Sequence, residues 1–365
     1  VEGSLNFNKD IREVVFYGVE EKESNFTNVN EVSVKKISHK VESRKVESAS
    51  ESIVSSIYLD KDNKEFTLSS LFSSPDIAKQ KFLSKIKQQL AVKGLSEEVI
   101  NQNIINLRDQ DMATWKFNYT DSKFNINIEP NKEDINSVEI PVNDLFKYID
   151  ETYLKGEDLE KYNEYIKKRS RKAVALTFDD GPNPNTTPVA LELLKKYNAK
   201  ATFFMVGHDV AGNENIIKQV VAEGHQIGNH SWSHPLLTKI SLEQAKSQIN
   251  DTTEALKKAS GQDVHIMRPP YGGINSTIQA AVDQSFILWD IDTLDWKNRN
   301  TASIMKEVRK TQPGSIILMH DVHQTSIDAL PTVLQYLTEQ GFELVTVDEL
   351  MGDQLELHQK YTNRE

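Results

Sequence analysis

The chain has 365 residues, a formal net charge of -11, 38% hydrophobic and 27% charged residues, and only 15 Gly and 11 Pro. That length holds two domains, or one of about 250 residues with an appended module, and the composition is neither low-complexity nor fibrous. The acidic balance argues against a duplex nucleic-acid binder or a polyanionic substrate; the lack of cysteine removes disulfides, thiol nucleophiles and Cys-type zinc sites.

No apolar run approaches the 18 or more residues of a membrane helix, and "VEGSLNFNKDIREVV" lacks a basic-then-apolar signal pattern. The chain does not start with Met, so the expectation is a mature or trimmed piece whose targeting segment lies elsewhere.

Residues 1–55 are polar and charge-rich, with patches of alternation that suit edge strands or a partly ordered tail. Residues 56–150 suggest a small α+β accessory module. Within it, residues 74–107 carry apolar residues at helical spacing, with Ser74 and Pro75 as a start signal and a break near Gly94. "TWKFNYTDSKFNINIEP" alternates on both sides of Asp121-Ser122, the pattern of a hairpin. Residues 151–170 are dense in charge and read as a linker helix ending in a solvated basic cluster.

From residue 171 to 365 the texture is regular. The runs "AVALTF", "ATFFMV", "HQIGN", "VHIM", "SFILWDI", "GSIILM" and "ELVTV" read as seven short buried parallel strands. Helix signals separate them, among them "TTPVALELLKKYN" and "SLEQAKSQINDTTEALKKASG", which runs from a Ser-x-x-Gln capping box to a terminal Gly. The alternation predicts an α/β fold, a distorted and incomplete (β/α) barrel, preceded by the small α+β module. No G-x-G-x-x-G turn or P-loop follows any strand, which removes the main support for a nucleotide-binding doubly wound sheet.

In β/α barrels, reactive groups lie on the loops after the strands. Asp179 and Asp180 follow the first strand here, His230 and His234 the third, Arg268 the fourth, Asp292 and Asp295 the fifth, and His320 the sixth. His230 and His234 are four apart, so on a helical turn both rings would reach one cation, with a carboxylate completing the set. One Asp of the adjacent pair would then bind the metal and its neighbour act as general base on water.

In this order, "TFDDGP", "HSWSH", "RPPYG", "DTLDW" and "LMHD" resemble the successive motifs of the NodB-homology polysaccharide deacetylases, carbohydrate esterase family 4. The match covers roughly residues 170–365. The whole chain is similar to streptococcal peptidoglycan N-acetylglucosamine deacetylases of the PgdA type. The resemblance implies Asp179 as catalytic base, oriented by Arg268, with Asp180, His230 and His234 as metal ligands. It implies His320 as general acid, oriented by Asp295, and the Tyr271 backbone N–H as an oxyanion donor. Trp296 and Leu318 would wall the acetyl pocket, and His323 has no assigned role.

The implied reaction is metal-dependent removal of acetate from N-acetylglucosamine in peptidoglycan glycan strands. The implied cofactor is one divalent ion, Zn2+ before Co2+ or Mn2+. An extracellular, monomeric enzyme, anchored to the membrane through a segment outside this chain, is expected. Deacetylation of chitin-type or other exopolysaccharides, a glycosidase using Asp179 and Asp295, and a noncatalytic wall-binding module are the competing readings.

Overall fold

The computed structural model describes residues 13–42, 45–129 and 135–364. The chain divides into two compact units, residues 1–169 and 170–365.

In the N-terminal unit, β1 (Glu13–Glu23), β2 (Val29–Glu42) and β3 (Lys45–Asp60) pair antiparallel in that order. The described part of the polar segment is therefore mostly strand, while residues 1–12, 43 and 44 lie outside the described residues. Its alternation is weak because β1 buries almost nothing on either face. The helices α1 (Pro75–Val92) and α2 (Glu97–Asp109) are separated at Gly94, whose φ of +79° is the left-handed conformation that ends a helix. The hairpin of β4 (Phe117–Thr120) and β5 (Lys123–Asn127) turns through Asp121 and Ser122, both at positive φ as a two-residue turn requires, and β6 (Ser137–Pro141) extends the sheet.

The charged segment read as a linker contains α3 (Gly156–Arg169), which packs Leu159, Tyr162 and Tyr165 on the core of this unit. Its Asp158 carboxylate accepts a 2.6 Å hydrogen bond from the buried Tyr119 hydroxyl. A solvated helix by composition is thus docked by a few aromatic residues on one face.

Among the described residues the C-terminal unit carries nine strands: β7 (Ala173–Asp179), β8 (Ala201–Met205), β9 (Gln226–Asn229), β10 (Ile266–Met267), β11 (Ser285–Ile287), β12 (Ile291–Asp292), β13 (Ile316–His320), β14 (Glu343–Leu344) and β15 (Lys360–Tyr361). The sheet order is β12-β13-β7-β8-β9-β10-β11-β15, with β14 paired to the start of β7; all these pairings are parallel. Between and around the strands run α4 (Thr187–Lys196), α5 (Glu214–Ala222), α6 (Leu242–Ser260), α7 (Ser276–Ala280), α8 (Asp295–Asn298), α9 (Thr301–Val308), α10 (Gln324–Glu339) and α11 (Val347–Met351). The helix α6 has the expected Ser241–Gln244 capping box and ends at Gly261 with φ +73°.

The run "SFILWDI" is not one strand but two, β11 and β12, on opposite sides of the sheet. Seven strands laid flat would separate those two by about 29 Å at about 4.8 Å per strand. Only Leu288, Trp289 and Asp290 lie between Ile287 and Ile291, four Cα–Cα steps with a reach of at most about 14 Å. The sheet must therefore curl into an incomplete barrel, and residues 288–290 close the gap. Leu288 N donates to Tyr361 O at 2.7 Å on one side, and Asp290 N to Ile316 O at 3.2 Å on the other. The run "ELVTV" also differs from expectation: only Glu343–Leu344 is strand, because Thr346 and Glu349 form a capping box that starts α11.

Candidate active site

Successive side chains of a strand point to opposite faces. On β7, Val174, Leu176 and Phe178 join the core beneath the helices, whereas Ala173 and Ala175 join a second cluster with Phe204, Ile266, Ile287 and Ile316. Thr177 and Asp179 continue that second face, so it grades from apolar floor to polar mouth. The β7/β13 register places Leu318 beside Thr177 and His320 beside Asp179.

Arg268 fills the space beneath the mouth with no exposed surface. Its Nη1 donates to Asp179 Oδ1 at 2.8 Å and Thr177 Oγ1 at 2.7 Å, Nε to Ile287 O at 3.0 Å, and Nη2 to Leu288 O at 2.9 Å. The guanidinium lies 4.3 Å from the Phe204 ring centre and 5.5 Å from that of Trp289. Burial pushes its pKa down and Asp179 pushes it back up; a guanidinium nonetheless stays charged. The segment that closes the barrel thus also anchors Arg268. Gly228 permits this packing, because a Cβ there would lie 2.4 Å from the Phe204 ring.

Asp180, in the left-handed region at φ +74°, turns its carboxylate toward His230 and His234. Each His Nε2 lies 3.4 Å from Asp180 Oδ1, and the three candidate ligand atoms all fall within 4.8 Å of one another. Two donors each about 2.1 Å from one cation, at about 110°, would be about 3.4 Å apart, so the set fits a divalent ion. His230 Nδ1 donates to Arg268 O at 2.7 Å, which leaves Nε2 as the lone-pair nitrogen facing the cluster. Burial pushes the Asp180 pKa up, but the neighbouring His230, His320 and His234 outweigh it and hold it at about 2. Burial first, then His230, keeps His234 below the usual histidine range.

The two histidines do not converge on a helical turn. Residues 230–236 form an irregular bend, with Ser231 at φ +66° and His234 at φ +58°. Two left-handed residues bring the rings to 4.9 Å between centres. The spacing was informative, but its backbone conformation differs from expectation.

Across the mouth, Asp295 is fully buried and accepts from His320 Nδ1 at 2.8 Å, His320 N at 2.8 Å, Trp296 N at 2.9 Å and Ser326 Oγ at 2.6 Å. Burial opposes its charge, yet these bonds keep its pKa below the ordinary carboxylate value. Burial likewise opposes charge on His320, but Asp295, with help from Asp179 and Asp180, lifts its pKa to about 9. Trp296 is half exposed, Leu318 is buried, and Tyr271 is exposed with its ring 4.7 Å from that of His234.

Asp292, the last residue of β12, accepts from Leu294 N at 2.9 Å, and its charge also favours that of Arg268. His323 sits at the start of α10, its ring 5.8 Å from that of His320. Sequence reasoning missed Thr177, Ser326 and Asp321. Thr177 carried a usable signal, two residues before Asp179 on one strand. The others face the site only through the packing of β13, α4 and α10.

The descriptions of known families agree with this arrangement. Residues 2–163 match the family model described as the peptidoglycan GlcNAc deacetylase N-terminal domain, and residues 166–285 match that of polysaccharide deacetylase. The peptidoglycan-N-acetylglucosamine deacetylase PgdA of Listeria monocytogenes is 36% identical over 282 residues, 74% of this chain and 60% of that protein. This chain therefore spans somewhat over half of that relative's length. A peptidoglycan-N-acetylglucosamine deacetylase of Bacillus cereus is 39% identical over 201 residues, 53% of this chain and 73% of that protein. A mutant form of the peptidoglycan deacetylase PdaC of Bacillus subtilis superimposes with a TM-score of 0.50 at 44% identity, over 51% of this chain and 93% of the solved one. With the curled sheet and the five motifs in place, the chain belongs to the polysaccharide deacetylase family, carbohydrate esterase family 4.

Proposed function

We propose that this protein hydrolyses the N-acetyl group of N-acetylglucosamine in peptidoglycan, releasing acetate and leaving a free amine on the glycan. The observation that carries the reading is the pairing across one strand register. Asp179, held by Arg268, and His320, held by Asp295, flank the Asp180, His230 and His234 cluster.

Asp180, His230 and His234 would hold a divalent ion, most simply zinc, which would supply Lewis acidity toward the acetamide carbonyl and the attacking water. Asp179 accepts the water proton; its other oxygen is engaged by Arg268, which fixes the carboxylate. The Tyr271 backbone N–H is the assigned donor to the developing oxyanion. Departure of the sugar amine needs a proton, and His320 delivers it from the imidazolium form that Asp295 stabilises. Trp296 and Leu318 are the assigned walls around the acetyl methyl. The similarity to the peptidoglycan-N-acetylglucosamine deacetylases of Listeria monocytogenes and Bacillus cereus supports this substrate. We place the protein outside the cell as a monomer on glycan strands, tethered through a segment beyond this chain. Among the described residues no helix is long and apolar enough to cross a membrane.

The test measures acetate released from N-acetylated peptidoglycan and from chitooligosaccharides, before and after chelation and zinc add-back, with reducing ends counted in parallel. Zinc-restored acetate from peptidoglycan without new reducing ends supports the proposal. Acetate only from chitooligosaccharides overturns the substrate; new reducing ends, or tight glycan binding without turnover, overturn the reaction.

A further inference from the structure

We propose that Asp321 is a positioning residue: it seats the loop that carries Asp180 and so sets the placement of the metal-ligating carboxylate relative to His320. The proposal rests on the metal reading above and extends it to a residue with no part in the chemistry.

Asp321 immediately follows His320 at the end of β13 and has no exposed surface. Its Oδ2 accepts a hydrogen bond from Thr187 Oγ1, and that hydroxyl oxygen in turn accepts from Asn183 N at 2.9 Å. Its Oδ1 has no hydrogen-bond partner among the described residues and lies against Gly181. A Cβ on Gly181 would stand 2.7 Å from Oδ1 and 2.9 Å from Oδ2, closer than real contacts allow. The carboxylate therefore rests on the bare backbone one residue after Asp180. The same loop is fixed from the other side by Val206 N, which donates to Gly181 O at 2.8 Å.

This grip matters because Asp180 holds φ +74°, a conformation that a non-glycine residue keeps only where its surroundings impose it. Gly181, Asn183 and Thr187, successive points along the loop, are all tied to the fold, and two of the three ties are made by Asp321 or by the hydroxyl bonded to it. Burying a carboxylate with one unsatisfied oxygen is costly, and a hydrophobic side chain would fill such a space without that cost. A carboxylate here makes sense as a shaped support for the ligand loop. Partners that orient a metal ligand commonly change metal affinity or activity by about 10- to 100-fold when removed.

The experiment uses the full chain and measures zinc affinity by competition with a chromophoric chelator, kcat and KM separately, and the thermal midpoint of the zinc-free protein. Asp321→Ala is expected to weaken zinc about 10- to 100-fold and to lower kcat with little change in KM. Asp321→Asn preserves shape and the acceptor for Thr187, and is expected to restore most of the affinity. Gly181→Ala should weaken zinc in the wild-type background and add little in the Asp321→Ala background, where the new methyl has room. Thr187→Val, which removes the hydroxyl that donates to Asp321 and accepts from Asn183 N, should lower affinity several-fold and is the fallback if Asp321→Ala does not fold. Wild-type zinc affinity in folded Asp321→Ala, or equal losses from Gly181→Ala in both backgrounds, overturns the proposal. A wild-type protein that binds no zinc overturns the metal reading itself, a result distinct from either of these.

Discussion

The two units bury different things. The N-terminal core is an aromatic assembly in which the Phe124 ring meets those of Phe26, Phe72, Phe82, Phe117 and Tyr119, at centre distances from 4.7 to 6.3 Å. The C-terminal unit buries Asp179, Arg268, Asp295, Asp321 and His230 at the carboxyl ends of its strands or on the loops beyond them. A chain places charges inside only when they are paired or bound, because desolvation is expensive. The contrast teaches that the first unit spends its interior on stability, while the second holds an electrostatic device at one end of its sheet.

The sharpest way to break this comparison is Asp179→Asn. It should lower kcat by about 10²- to 10⁴-fold while leaving zinc stoichiometry unchanged in a metal titration; normal turnover would remove Asp179 as the base. Next in size, Phe124→Ala should cost the N-terminal unit about 3–5 kcal/mol in denaturant unfolding, with catalytic parameters at permissive temperature close to wild type. A comparable loss of kcat there would show that the two interiors are not independent.

A smaller effect is expected from Asp295→Asn. In the proposed mechanism His320 serves as an acid only while protonated, so activity should persist to about pH 9 and fall above it. Neutralising Asp295 removes the chief stabiliser of the imidazolium, so the basic limb of the kcat profile should move to lower pH. A limb that stays in place would dissociate it from His320. The smallest change is expected for His323→Ala, less than a factor of about 3 in kcat, since its ring faces His320 without a hydrogen bond to it among those described.

Much of the candidate site was legible in the sequence, because period-two strands and the loops that follow them put polar residues at one end of a parallel sheet. The pair Asp179-Asp180 at the end of "AVALTF" and His320 at the end of "GSIILM" needed only that rule. The conformation of "HSWSH" was not legible: four-residue spacing suits a helical turn, and nothing local announced left-handed Ser231 and His234. Nor was the split of "SFILWDI", since a continuous apolar run carries no mark of where one strand ends and its closing partner begins.

Local chemistry, read from the sequence alone, thus picked out the candidate site residues, the alternation of strands and helices, the capping of α6 and the turn at Asp121-Ser122. These depend on side-chain type and on contacts a few residues apart. The tertiary structure alone decided that the sheet curls until residues 288–290 bridge its edges, that the carbonyl groups of Ile287 and Leu288 hold Arg268, and that Asp321 lies on Gly181. Those facts join segments about 20 to 140 residues apart, and such pairings follow from closure and packing of the whole barrel rather than from any local pattern.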